Sequence, residues 1–370
     1  MSDEIKKGLV GVISDETKIS EVMPDINSLT YRGYAVQDLC KSCSFEEVSY
    51  LILNGELPNK DQLKEFEKKE RSNRKISESL KEIIKQYPKK AHPMDTTRTS
   101  VSHMGLEDAQ TADNSPEANM AKAIRLLAKI STSVAANFRT RKGQDIIEPD
   151  ENLGFSENFF HMCFGKIPSK EVVKAFDVSL ILYAEHSFNA STFTTRVITS
   201  SLSDMHGAVC GGIASLKGPL HGGANEAVMH MLNEVKEPEN AKEFILNKIK
   251  NKEVIMGFGH RVYRSGDSRV PTMTEYFYKT AEFYKNDKLP AISKILAETM
   301  LKEKNIHPNL DFPAGPAYHL MGFDIDFFTP IFIVSRITGW SAHIMEQFSS
   351  NKLIRPLSKY TGHSHREVNK

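Results

Sequence analysis

Three short segments set ionisable side chains beside glycines: Gly218-Pro219-Leu220-His221-Gly222-Gly223-Ala224-Asn225-Glu226, Gly257-Phe258-Gly259-His260-Arg261-Val262-Tyr263 and Asn309-Leu310-Asp311-Phe312-Pro313-Ala314-Gly315. None has the glycine offsets of a phosphate-binding loop or of a dinucleotide fingerprint. His221 stands where a helix can begin, and helix-end amides keep an imidazole neutral, so that it donates a hydrogen bond instead of carrying charge. Such a donor stabilises charge developing on a carbonyl oxygen. Asp311 lies between Leu310 and Phe312; burial there would raise its pKa and make it a better proton acceptor than a carboxylate in water. Taken singly, each of His221, His260 and Asp311 is more often an ordinary hydrogen-bonded or surface residue, in a chain with 13 histidines. Their value lies in combination.

Arginines follow at Arg261, Arg264, Arg269, Arg336 and Arg355. Guanidinium forks converging on one cleft would select a dicarboxylate over a neutral substrate. Arg336 and His343 fall on one face of the last helix, which either lines a site or forms an internal ion-pair network. Metal binding is disfavoured, because His186, His206, His221 and His230 do not make a His-Glu-x-x-His pattern. His363 and His365 read as a flexible tail.

The elements that must position these groups are mostly helical. Leu9, Val10, Val12 and Ile13 allow one short strand or hairpin, with Tyr31-Arg32-Gly33-Tyr34 on a turn. Phe45, Val48, Ser49 and Ile52 keep a helix period that ends at Gly55, and a charged, solvated helix follows over 61–71. A helix buried on several faces follows Pro168 and Ser169. Pro238 and Pro290 open two amphipathic helices, and Thr329-Pro330 supplies an N-cap and first-turn proline for an apolar helix running to about Met345. Glycines at 211, 212, 218, 222, 223, 257, 259, 315 and 322 interrupt helical sequence, and residues 223–322 read as a smaller unit set into a larger one. Loop flexibility alone is the competing reading of those glycines.

At 370 residues the chain exceeds what one core usually supports. Lys plus Arg (48) balances Asp plus Glu (47), which predicts no global field toward nucleic acid or membrane. The first residues, MSDEIKKG, show no signal-peptide pattern, and no apolar stretch reaches membrane-span length, so a cytoplasmic address is expected. Cys40 and Cys43 form a lone C-x-x-C outside any thioredoxin-like context, which argues against a redox role.

Together with Tyr31-Arg32-Gly33-Tyr34, His92-Pro93-Met94-Asp95 with Arg98, Glu185-His186-Ser187-Phe188-Asn189-Ala190-Ser191-Thr192 and Leu353-Ile354-Arg355-Pro356, the three segments resemble the citrate synthase superfamily over nearly the whole chain. Within it the sequence is similar to the shorter microbial type and its 2-methylcitrate synthase branch. Gly266-Asp267-Ser268-Arg269-Val270-Pro271-Thr272-Met273, Phe312 to Tyr318 and Ile337-Thr338-Gly339-Trp340 carry the likeness to that branch. His319, and the absence of proline after Gly362, depart from it.

The resemblance implies a mainly α, citrate synthase-like fold: a large helical domain from residues 1–222 and 323–370, and a small helical domain, 223–322, that closes over the active site. It implies condensation of propionyl-CoA with oxaloacetate and water to 2-methylcitrate and CoA, with some acetyl-CoA activity; citrate synthase proper is the alternative. A helical binding protein without turnover is the competitor from another class. By motif match, Asp311 is the base that removes the proton alpha to the thioester. His221 donates to the forming enolate, and His260 polarises the oxo-acid ketone. His186, Arg269 and Arg336 resemble oxo-acid ligands, and Arg355 matches an arginine given to the neighbouring subunit of a homodimer. Met256, Gly257 and Gly259 resemble the main-chain cradle of the CoA adenine, with Arg261 or Arg264 facing its phosphates. No tightly bound cofactor is implied; CoA enters as part of the acyl-CoA substrate, and neither nucleic acid nor membrane is a partner.

Overall fold

Helix-period patterning dominates the chain, and the computed structural model, which describes residues 5–260, 262–263 and 266–368, is predominantly helical. A three-stranded antiparallel sheet near the start has the order β1 (Ser20–Met23), β2 (Ser28–Tyr31), β3 (Tyr34–Ala35). Tyr31 pairs with Tyr34, and Arg32 and Gly33 between them both have positive φ, 49° and 90°, the backbone of a tight hairpin turn. The strand expected over Leu9 to Ile13 is absent. Gly8 and Gly11 adopt positive φ there, which breaks the extended run, and Leu9, Val10, Val12 and Ile13 are exposed. Pairing begins at Ser20 instead.

The helices that follow are α1 (Val36–Ser42), α2 (Phe45–Asn54), α3 (Lys60–Ser72), α4 (Glu78–Gln86), α5 (Pro93–Glu107), α6 (Pro116–Thr140), α7 (Phe155–Phe164) and α8 (Lys170–Tyr183). Next come α9 (Ala190–Ser200), α10 (Met205–Leu216), α11 (Ala224–Val235) and α12 (Pro238–Lys250). The last are α13 (Val270–Phe283), α14 (Lys288–Lys304), α15 (Asp311–Leu320) and α16 (Phe328–Ser349). Their starts follow local chemistry. Ser44 and Glu47 form a capping box at α2, Asn189 caps α9, Asp204 caps α10, and prolines occupy the first turns of α5, α6 and α12. Gly55 ends α2 in the left-handed conformation. Two expected boundaries shift. α14 opens at Lys288, two residues before Pro290, and the N-cap of α16 is Phe327, so Thr329 lies inside the first turn with its side chain engaged elsewhere.

α16 is buried on every face from Phe328 to Ile344, as an apolar helix with little charge should be. It packs against α6, α9, α10, α2 and α8. Helices α11 to α15 pack largely on one another, and meet the rest chiefly through α13 on α8 and α11 on α16. Gly315 makes one of these contacts: a Cβ there would lie 2.6 Å from the Asn225 carbonyl oxygen, so α15 lies directly on the start of α11. The neighbour is backbone and cannot swing aside. Gly315→Ala is therefore expected to destabilise the fold by about 1–3 kcal/mol. An unchanged midpoint in a urea melt would refute the close packing of these two helices.

Candidate active site

The glycine-rich segment before His260 lies alongside the segment before Asp311. Gly257 and Gly259 take positive φ of 84° and 81°, and a Cβ on Gly257 would sit 2.3 Å from Val228. Across this seam the Gly259 N–H donates to the His307 carbonyl (2.8 Å), the Asn309 N–H to the Gly257 carbonyl (2.9 Å) and the Asn309 side chain to the Gly259 carbonyl (3.1 Å). Beside it lies a cavity of about 180 Å³ whose lining includes His260, Tyr263, Asp267 and His307.

Each catalytic candidate has a defined proton inventory. His260 Nδ1 accepts from the backbone N–H groups of Val262 (3.1 Å) and Tyr263 (3.2 Å), so its proton resides on Nε2. Burial, reinforced by the charge of Arg269, lowers its pKa to about 4. His221 lies in the turn before α11, and its Nε2 accepts from the Ser191 N–H at 3.2 Å, which leaves the proton on Nδ1. Ser191 is itself fixed: its hydroxyl lies 2.8 Å from that Nε2, 2.8 Å from Asn189 Oδ1 and 3.1 Å from the Trp340 N–H that donates to it. Burial, then the charge of Arg336, brings the His221 pKa down to about 3. A helix-end amide does bond this imidazole and set its tautomer, but it belongs to α9 and not to the helix that follows His221.

Asp311 opens α15 and accepts a 2.6 Å hydrogen bond from the Tyr183 hydroxyl. Burial raises its pKa to about 6, despite that hydrogen bond and the charges of Arg269 and Arg336. Tyr183 packs on Phe332 with ring centroids 4.1 Å apart, and Phe332 lies 6.5 Å from the His221 ring and 4.7 Å beneath the Arg336 guanidinium. Three residues from distant parts of the sequence thus meet around one aromatic pair.

The oxo-acid candidates join the same cluster. Arg269 is forked onto Asp267, Nε to Oδ1 at 2.9 Å and Nη2 to Oδ2 at 2.7 Å, and Asp267 also accepts the Leu310 N–H at 3.2 Å. Burial works against both charges, yet the pairing keeps the Arg269 pKa above and the Asp267 pKa below their usual values. Arg336 donates through Nε to the Tyr183 carbonyl at 2.6 Å, while its buried Nη1 has no hydrogen-bond partner among the described residues. Burial lowers its pKa to about 10, opposed by the charge of Glu185. His186 lies 5.1 Å from the His260 ring, and its buried Nε2 likewise has no hydrogen-bond partner among the described residues. Burial and then the neighbouring charge of Arg269 hold it neutral.

Arg355 is exposed on the extended tail after α16, where the Ile354 N–H donates to Ser200 Oγ (3.0 Å); among the described residues no contact brings it to the cluster of its own chain. Arg261 and Arg264 lie outside the described residues. Met256, Gly257 and Gly259 sit on the seam beside His260. His343 turns to Glu185, donating at 2.8 Å, and its Nδ1 faces Arg196 at 3.2 Å, an internal polar network, while Arg336 on the same helix lies over Phe332. Tyr183 and Phe332 escaped the sequence reading, and Asp267 and Ser191 entered it only as members of longer motifs, with no role assigned. Tyr183 stands two residues before the Glu185-His186 pair and Asp267 two before Arg269, proximity that was the available signal. Among the described residues, no group of three or more His, Cys, Asp or Glu side chains is placed to hold a metal ion, and no helix is long and apolar enough to cross a membrane.

The family described as "Citrate synthase, C-terminal domain" matches residues 8–357. The chain is 53% identical over 363 residues to 2-methylcitrate synthase of Mycobacterium tuberculosis, covering 98% of this chain and 92% of that protein. It is 52% identical over 364 residues to citrate synthase of Mycolicibacterium smegmatis, covering 98% and 97%. Among solved structures, the ternary complex of carboxymethyl coenzyme A and oxaloacetate with citrate synthase from Thermoplasma acidophilum superposes with a TM-score of 0.93 at 30% identity, covering 100% and 99% of the two chains. Citrate synthase from Thermotoga maritima gives 0.90 at 36% identity, covering 99% and 98%. With its fold, its clustered residues and these likenesses in agreement, the chain belongs to the citrate synthase family of acyl-CoA condensing enzymes, close to the bacterial 2-methylcitrate and citrate synthases.

Proposed function

We propose that this enzyme is a 2-methylcitrate synthase that condenses propionyl-CoA with oxaloacetate and water, releases CoA, and also accepts acetyl-CoA. The observation that carries the reading is the proton inventory of the cluster: two neutral imidazoles, each with one ring N–H left to donate, and a buried carboxylate with an elevated pKa. Asp311 takes the proton alpha to the thioester carbonyl, while His221 Nδ1–H stabilises the enolate oxygen and His260 Nε2–H polarises the ketone of the oxo acid. Proton removal and charge stabilisation then occur together at a weakly acidic carbon. Water hydrolyses the resulting thioester adduct.

His186, Arg269 and Arg336 hold the oxo acid. Asp267 already neutralises Arg269 and the charge of Glu185 offsets Arg336, so a dicarboxylate needs a further cation. Arg355 of a second subunit is the natural source, which makes the homodimer part of the site. Residues 223–322 form the small domain that closes on the large one, 1–222 with 323–370, excluding water before the thioester is activated. The mutual packing of α11 to α15 supports that division. The backbone at Met256, Gly257 and Gly259 receives the CoA adenine, with Arg261 or Arg264 toward its phosphates.

Thiol release should require both substrates, and Asp311→Ala should abolish it with the fold intact. Because the ionised carboxylate is the base, kcat/KM should fall as pH drops through about 6. Folded wild-type protein that releases no CoA from either acyl-CoA with any 2-oxo acid, or a profile flat from acid to neutral pH, would defeat the assignment.

One methylene is worth only about 1–3 kcal/mol in a pocket. With oxaloacetate saturating, kcat/KM should favour propionyl-CoA over acetyl-CoA by roughly 10-fold or more while both react. A ratio favouring acetyl-CoA would make the protein a citrate synthase.

Arg355→Ala and Asp311→Asn variants should each be inactive alone. Co-expressed, they should recover about a quarter of wild-type activity, because half the dimers are mixed and each then holds one intact site. No recovery would mean that Arg355 does not cross to a neighbouring site.

A further inference from the structure

The His92-Pro93-Met94-Asp95 turn takes no part in the chemistry above, yet its side chains reach both ends of the loop that carries His221. His92 caps α5; its Nδ1 accepts the Met94 N–H at 3.2 Å, which leaves the proton on Nε2 to be donated to Glu226 Oε2 at 3.1 Å. Glu226 lies in the first turn of α11, just after the loop. Its Oε1 accepts the Thr329 backbone N–H at 3.3 Å and also the Thr329 hydroxyl, from the first turn of α16. The starts of α5, α11 and α16 thus converge on one carboxylate. Helix starts carry amides without intrahelical partners and partial positive charge, so a carboxylate suits the junction.

The other end of the loop is tied to the same turn. Lys217, at the end of α10, gives its Nζ to Asp95 Oδ2 at 2.6 Å, and Arg98 also bridges to Asp95. Between the two ties the loop is drawn in by its own backbone: the Gly222 N–H donates to the Leu216 carbonyl at 2.9 Å, and a Cβ on Gly222 would fall 2.6 Å from that oxygen. At its tip Leu220 is 96% exposed, while the inner side turns the His221 ring onto Ser191 and Gly222 onto Leu216. The polar ties anchor the two ends of the loop from which that ring projects. The Lys217 pair is the weaker arm, since both partners are partly solvated. The His92–Glu226–Thr329 arm is more enclosed.

We infer that His92 and Glu226 are positioning residues that clip the His221 loop between three helix starts and so keep the His221 ring N–H aligned with the thioester oxygen. The inference rests on the proposed condensation chemistry. It also gives the His-Pro-Met-Asp motif a task that its distance from the reacting atoms conceals.

The test compares wild type, His92→Gln, Glu226→Gln and the double variant by steady-state kinetics with ordinary and alpha-deuterated acyl-CoA. A misaligned donor should slow proton abstraction alone. Each single variant is expected to lose about tenfold in kcat, with KM for the oxo acid within about twofold and the deuterium isotope effect on kcat increased. The double variant should be no worse than the poorer single one, because both changes break one contact. His92 is half-exposed, so His92→Gln keeps the test open if Glu226→Gln does not fold. Single variants that match an active wild type, losses that multiply, or an unchanged isotope effect would overturn the clip and leave the function standing. Inactive wild type would instead remove the function on which it rests.

Discussion

The Asp267 carboxylate ties two parts of the site that chemistry requires to move together. Its oxygens fork onto Arg269, and one of them also accepts the Leu310 N–H, immediately before Asp311. An oxo acid held by Arg269 is thereby referenced to the residue that would deprotonate its partner. The pair is buried, and removing one member of such a pair costs about 3–5 kcal/mol because the other charge is stranded. Both ends of the tie lie within 223–322, so any rigid movement of that unit carries arginine and carboxylate as one body.

The rest of the site is organised by α16. Its apolar length lets it run buried through the large helical assembly, and one face carries Phe332 and Arg336 while the next turns bring Trp340 and His343. Phe332 separates Tyr183 from His221, Trp340 fixes Ser191, and His343 holds Glu185. Gly339 is needed for the last of these: a Cβ there would lie 2.2 Å from Glu185 Oε2. Buried charge is tolerated on this helix because it is offset from the segment that also supplies His186.

The three glycine-flanked segments that carry the candidate residues were legible because glycine punctuation and the residue between it are local features. The pKa of Asp311 was also legible in direction, since Leu310 and Phe312 flank it in sequence and in the fold. What depended on distant contacts was not. Thr329 followed by Pro330 reads as an N-cap, but Glu226, more than a hundred residues away, draws its hydroxyl and the cap falls at Phe327. The amide that sets the His221 tautomer comes from α9, and the hydroxyl on Asp311 from the end of α8. The apolar residues Leu9, Val10, Val12 and Ile13 failed as a strand signal because Gly8 and Gly11 at positive φ and the exposure of those side chains outweigh β propensity.

The imidazoles of His221 and His260 take hydrogen bonds from backbone amides, and that choice of partner shapes the chemistry proposed for them. A carboxylate beside either ring would favour the imidazolium and turn a hydrogen-bond donor into a fixed cation. An amide selects the tautomer without rewarding charge, because protonating the accepting nitrogen would strand the N–H that points at it. Burial acts in the same direction, and the rings end at about 3 and 4. Asp311 responds to burial in the opposite sense. Its anion is the form that burial penalises, and its protonated form is the product of the first step of the proposed condensation. The desolvation that raises it to about 6 therefore favours proton uptake just as the neutral donors favour the enolate, while at neutral pH the carboxylate still stands mostly ionised and ready. A single physical condition, exclusion of water from this cluster, keeps the donors neutral and strengthens the base.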